Sequence, residues 1–192
     1  MKNSINYLVI GAGNILLSDE GLGVHIVRQL KKDNSRRNLN KSSNLNKNNT
    51  LNKSKDYGKN GNKNNKIIEK ADFIDIGTSS LDICSYVNKN IKKIVIIDCI
   101  KTGSYPPGTV FKLTPDELME NYRNSNYSLH QMQLLDSLKI TSLLEKLPEI
   151  LILAVVPFDV STFSTELSEK IKKEFPVILK KVNSEIINFF KK

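Results

Sequence analysis

A chain of 192 residues, 39% hydrophobic and 26% charged, has enough apolar material for one packed domain. No run approaches the about 18 apolar residues of a membrane-spanning helix, and the first residues show no signal-peptide pattern, so membrane and secretory roles are excluded from the expectations. The net charge of +9 would point to nucleic acid, but residues 33 to 66 hold nine Lys or Arg against two Asp, a net of +7, which leaves the rest nearly neutral.

The chain opens on a short apolar strand over residues 6 to 11, which turns at Gly11-Ala12-Gly13. A helix is expected from about 19 to 32, with Ser18 or Asp19 as its cap and Val24, Ile26, Val27 and Leu30 on its buried side. Gly11-x-Gly13 is part of a dinucleotide fingerprint, yet Leu16 stands where the third glycine belongs. Asp19 and Glu20 would also repel a pyrophosphate at the helix start. Taken alone, two acids in a first turn merely complement the helix dipole.

Residues 33 to 66 are almost entirely Asn, Lys, Ser and Arg, with a six-residue repeat beginning Asn38-Leu39-Asn40-Lys41. That period fits neither a helix face nor a solenoid, and apolar surface is too scarce to offset ordering entropy. The segment reads as a disordered insertion in a single domain spanning 1–192. With Tyr57 the only aromatic residue in it, stacking on RNA is not expected.

After it, Ala71 to Ile76 is a second strand broken by Gly77, and Ser79 with Asp82 offers a capping box for a helix through Tyr86. Ile94 to Ile97 is the strongest strand and ends at Asp98. The Pro106-Pro107-Gly108 turn leads to a strand over 109 to 113, antiparallel to its neighbour because the connection is short. Thr114, Pro115 and Glu117 start a short helix as cap, N1 proline and N3 acid. A helix over 128 to 146 follows, then a strand over 150 to 156, then helix over about 165 to 190 with Pro176 as a break. Alternating strands and helices give an α/β layered fold with a mostly parallel sheet. Cys84 and Cys99 form no Cys-x-x-Cys pair and fit a reduced, cytoplasmic setting as small core side chains.

Ligands of such sheets bind outside the carboxyl ends of the strands, which selects Glu20, Asp75 and Asp98. His130 adds a nitrogen: Ser128 and Gln131 fit a capping box, placing His130 in a first helical turn whose positive end favours neutral imidazole. His25, mid-helix, reads as structural or exposed. Two carboxylates and an imidazole suit a borderline divalent ion such as nickel, zinc or manganese. No His-Glu-x-x-His helix and no Gly-x-Ser-x-Gly elbow is present.

Gly11-Ala12-Gly13-Asn14-Ile15-Leu16-Leu17-Ser18-Asp19-Glu20-Gly21-Leu22-Gly23-Val24 closely resembles the N-terminal motif of the nickel-iron hydrogenase maturation endopeptidases. The resemblance continues in order through Asp75-Ile76-Gly77-Thr78, Ile96-Ile97-Asp98, Pro107-Gly108-Thr109, Ser128-Leu129-His130-Gln131 and Val155-Val156-Pro157. It covers nearly all of the chain except 33 to 66 and departs in segment 163–168, which lacks a glycine often found before the last helix. The resemblance implies a three-layer sandwich: a twisted, mostly parallel five-stranded sheet with helices on both faces. It implies Glu20, Asp98 and His130 as the nickel-facing residues, Asp98 being the catalytic candidate as water-activating base or metal ligand. It also implies one cut that removes a C-terminal extension from the hydrogenase large-subunit precursor after nickel insertion. The nickel then belongs to the substrate, no organic cofactor is needed, and the enzyme is expected to be monomeric. The alternative from another class is a non-catalytic nickel-sensing chaperone that binds the immature large subunit without cutting it.

Overall fold

The strands alternate with period two, and both of their faces are buried. A computed structural model describes residues 6–47, 67–87, 90–122, 129–144 and 146–192, with the side chains of 40–47, 121–122, 129–132 and 144 outside the description. The strands are β1 (Tyr7–Ala12), β2 (Ala71–Gly77), β3 (Lys93–Cys99), β4 (Val110–Leu113) and β5 (Glu149–Val155). The helices are α1 (Leu22–Lys47), α2 (Ile83–Tyr86), α3 (Pro115–Tyr122), α4 (Leu129–Leu144) and α5 (Glu169–Lys191).

The strands form one five-stranded sheet in the order β2-β1-β3-β5-β4. All neighbours are parallel except β4, which runs antiparallel to β5 as its short connection requires. Val9, Val95, Ile97, Leu153 and Val155 pack on one side with α1 and α5. Leu8, Ile10, Ile94, Ile96, Ile152 and Ala154 pack on the other with residues of α2, α3 and α4. The result is the three-layer α/β sandwich expected from the chain. Burial of Ile171, Ile178, Val182 and Ile186 of α5 in the first core contributes about 1.5–3 kcal/mol for each side chain.

Local signals succeed where their partners are near. The Thr114–Glu117 capping box forms in both directions: the Glu117 N–H donates to Thr114 Oγ1 at 3.2 Å, and the Thr114 N–H donates to Glu117 Oε2 at 2.7 Å. The Ser79–Asp82 box does not form; a 3-10 turn over Ser80–Asp82 leads into α2, and Ser79 caps it with no side-chain hydrogen bond. Pro176 does not break the last helix, which runs on through it where Pro176 and Lys172, four residues back, are both exposed. That helix starts at Glu169 rather than 165, with Ser168 as its cap.

α1 departs further from expectation. It continues to Lys47, through residues 33 to 47 where composition predicted disorder. Once Leu22, Ile26, Val27 and Leu30 are packed, each added residue needs only a propagation step and no new nucleus. The rest of the expected disordered stretch, 48–66, lies outside the described residues.

Candidate active site

The sheet order makes a place for a ligand before any side chain is considered. From β1 the chain passes through α1 on one face to β2 on one side; from β2 it returns through α2 on the other face to β3, on β1's other side. The ends of β1 and β3 therefore splay away from their connections and flank a crevice at the carboxyl edge.

Glycines bring the next segment onto that edge. Gly13 has φ +133°, and a Cβ there would overlap the Glu20 carbonyl. A Cβ on Gly23 would overlap the carbonyl oxygens of Ala12 and Ile97, the last turns of β1 and β3. Only glycine lets the first turn of α1 rest directly on both strand ends. The 3-10 turn Ser18–Gly21 that precedes it packs on β3 and carries half-buried Glu20.

Asp98 is buried in β3, which runs one residue beyond it to Cys99. The strand's alternation puts it on the face of Ile94 and Ile96, and its Oδ1 accepts the Cys99 N–H at 2.8 Å. Burial pushes the Cys99 thiol well up, and the charges of Asp98 and Glu20 push it further. The Cys99 thiol thus feels both carboxylates.

His130 lies in the first turn of α4. That helix ends at Leu144, and β5 begins at Glu149, paired with Lys93 at the amino edge of the sheet. A 16-residue helix spans about 24 Å, the length of a seven-residue strand, so its first turn returns to the carboxyl edge on the Asp98 face. The His130 side chain and the Ser128–Gln131 capping box lie outside the described residues. Among the described side chains no group of three His, Cys, Asp or Glu gathers into a metal site.

Asp75 is committed elsewhere. Arg28 of α1 pairs with its Oδ2 at 2.6 Å, and its Oδ1 accepts the Gly77 N–H at 2.9 Å, so it ties the end of β2 to α1. His25 is partly buried, with no hydrogen-bond partner for Nε2 among the described residues. Burial lowers its pKa, and the nearby Arg28 charge lowers it further.

Asp19 caps nothing in α1. It is fully buried, and its carboxylate accepts the N–H groups of Phe158 (3.1 Å), Asp159 (2.9 Å) and Ser168 (2.8 Å) and the Ser168 hydroxyl (2.7 Å). The backbone reinforces it: the Ser18 N–H donates to the Ser164 carbonyl, the Ser164 N–H to the Leu16 carbonyl and the Asp19 N–H to the Asp159 carbonyl. This clasp fixes the loop after β5 against the turn that carries Glu20. Nothing local in the sequence marks it, because the acceptor and its donors are 139 to 149 residues apart.

The hydrogenase maturation protease family model matches residues 58–185, two thirds of the chain. The chain belongs to the hydrogenase maturation protease family. Its match begins after the Gly11–Val24 motif, so membership rests on β2 onward rather than on the residues that first carried the resemblance. Among relatives of this maturation protease family member, the hydrogenase expression/formation protein HupD of Thiocapsa roseopersicina is 26% identical over 174 residues, 90% of this chain. The chain spans 64% of the length of the curated relatives it matches. Two solved structures share its fold. The [NiFe] hydrogenase maturation protease HybD from Thermococcus kodakarensis aligns with TM-score 0.66 at 21% identity, over 94% of this chain and 99% of that one. The hydrogenase maturating endopeptidase HybD from E. coli aligns with TM-score 0.62 at 22% identity, over 92% and 89%.

Proposed function

We propose that this family member is an endopeptidase that removes the C-terminal extension of a nickel-iron hydrogenase large-subunit precursor after nickel has been inserted. One observation carries the reading: Asp98 lies near the carboxyl end of β3 and Glu20 in the turn that packs on that strand, in a chain of this family. Glu20, Asp98 and His130 contact the nickel, which arrives with the substrate; the chain needs no organic cofactor of its own. Oxygen and nitrogen donors on three separate segments suit a borderline divalent ion. Gripping the substrate's metal converts encounter into a fixed geometry at the bond to be cut. Asp98 then holds the metal or takes a proton from the attacking water, whose oxygen bonds to the scissile carbonyl carbon while the leaving amine gains a proton.

The chain acts in the cytoplasm as a monomer, with the precursor as partner and neither membrane nor nucleic acid. Among the described residues no helix is long and apolar enough to cross a membrane. Residues 33 to 66 hold an insertion in a single domain, of which 36 to 65 are dispensable for cutting.

A mass measurement on precursor incubated with wild-type and Asp98→Asn protein tests the reading, with and without nickel. Wild type shortens only the nickel-loaded precursor, to one product, and Asp98→Asn leaves it whole. A wild-type chain that binds the loaded precursor and never shortens it would be a chaperone instead.

A further inference from the structure

Beside the turn that carries Glu20, the clasp presents apolar side chains to water. Leu16, Phe158 and Phe163 are 45%, 58% and 79% exposed. Leu17 forms a parallel bridge with Ser164, and the Leu16 carbonyl accepts the Ser164 N–H at 3.0 Å, which sets Leu16 beside Phe163. Phe158 is anchored by its own N–H on Asp19. Three large apolar groups thus stand on two segments that are fastened together, one of which runs on into Glu20.

The polar groups of this loop are already committed. The Asp159 carboxylate accepts the N–H groups of Ser161 and Thr162 and the Ser161 hydroxyl, and these bonds with the Thr162 side chain hold its pKa far below the usual range. Glu166 pairs with Lys172. Lys170 Nζ lies 4.6 Å from the centre of the Phe158 ring. The loop therefore offers an incoming chain apolar surface rather than free carboxylate.

We propose that Leu16, Phe158 and Phe163 form a docking lip for an apolar stretch of the metal-bearing polypeptide, adjoining the segment that presents its metal to Glu20 and Asp98. The proposal rests on the functional reading above: a metal carried by another protein arrives wrapped in polypeptide, and the surface continuous with Glu20 must meet that polypeptide. Large apolar side chains on a pre-ordered backbone lose little entropy on contact, which is what an interface anchor requires.

The test uses the full chain and the nickel-loaded large-subunit precursor. The double substitution Phe158→Ser with Phe163→Ser weakens precursor binding about tenfold or more and raises KM in proportion, while kcat stays within about twofold. Phe163→Leu, which keeps apolar bulk, retains most of the affinity. Calorimetric affinity of the isolated chain for Ni²⁺ is the control and is unchanged in the double variant. Precursor affinity that does not move overturns the lip, and so does a parallel loss of Ni²⁺ affinity, since the substitutions would then act through the site. Wild type that binds the precursor but fails to shorten it overturns the peptidase reading alone, while the affinity arm still reads the lip.

Discussion

Ser168 donates to Asp19 twice, its N–H to Oδ1 at 2.8 Å and its hydroxyl to Oδ2 at 2.7 Å. The same hydroxyl oxygen accepts the Ile171 N–H at 3.3 Å and so caps α5. One serine therefore fastens the start of the last helix to the first turn of the chain. In segment 163–168 backbone order comes from these bonds and from the Ser164 bridge.

Replacing Asp19 with Ala leaves three N–H donors and a hydroxyl in a fully buried place without their acceptor. The expected cost is about 3 kcal/mol, read as a lower midpoint in urea denaturation. A loss below about 1 kcal/mol would mean that water replaces the carboxylate.

Gly23→Ala drives a methyl group into the carbonyls of Ala12 and Ile97, which are backbone and cannot turn aside. A destabilisation of about 1–3 kcal/mol or more is expected in thermal or urea unfolding. Gly103→Ala is the matched control: a Cβ there meets nothing within 4 Å, so it stays within about 0.5 kcal/mol of wild type.

His25 gives a pH signature with a definite sign. Burial, then Arg28, lowers its folded pKa below the ordinary 6.5, against weaker opposing effects of the Thr165 backbone, Asp19 and Asp75. The unfolded chain then binds the proton more readily. Its contribution is complete above about pH 6.5 and is lost as pH falls through the lowered folded value. Measured against pH between 7 and 5, wild-type stability should fall more steeply than that of His25→Gln; parallel curves would show that the imidazole is not desolvated.

Glu20→Gln and His130→Ala each weaken Ni²⁺ binding by the isolated chain without lowering its unfolding midpoint. Calorimetry beside a thermal melt checks both at once. Unchanged affinity in the two variants would remove these residues from the metal-facing set.

Much of the fold is legible because its causes are local. Apolar β-branched runs such as Ile94 to Ile97 mark the buried strands, and Thr114 reaches its Glu117 partner within one turn. Glu20 and Asp98 are legible as site candidates because strand ends at a switch point are where ligands bind in such sheets. What escapes is non-local. Asp19 looks like an ordinary first-turn acid because its partners come from the other end of the chain. Pro176 reads as a helix breaker until the exposure of its neighbours is known, and the length of α1 follows from a packed first half that composition over 33 to 66 does not reveal.

The clasp also orders events in time. During synthesis the first strand and turn emerge early, yet the donors for Asp19 are 139 to 149 residues further on. Until Phe158, Asp159 and Ser168 have all left the ribosome, the clasp cannot close. The turn bearing Glu20 therefore acquires its final shape among the last steps of folding, and closing so long a loop makes that step slow beside helix formation.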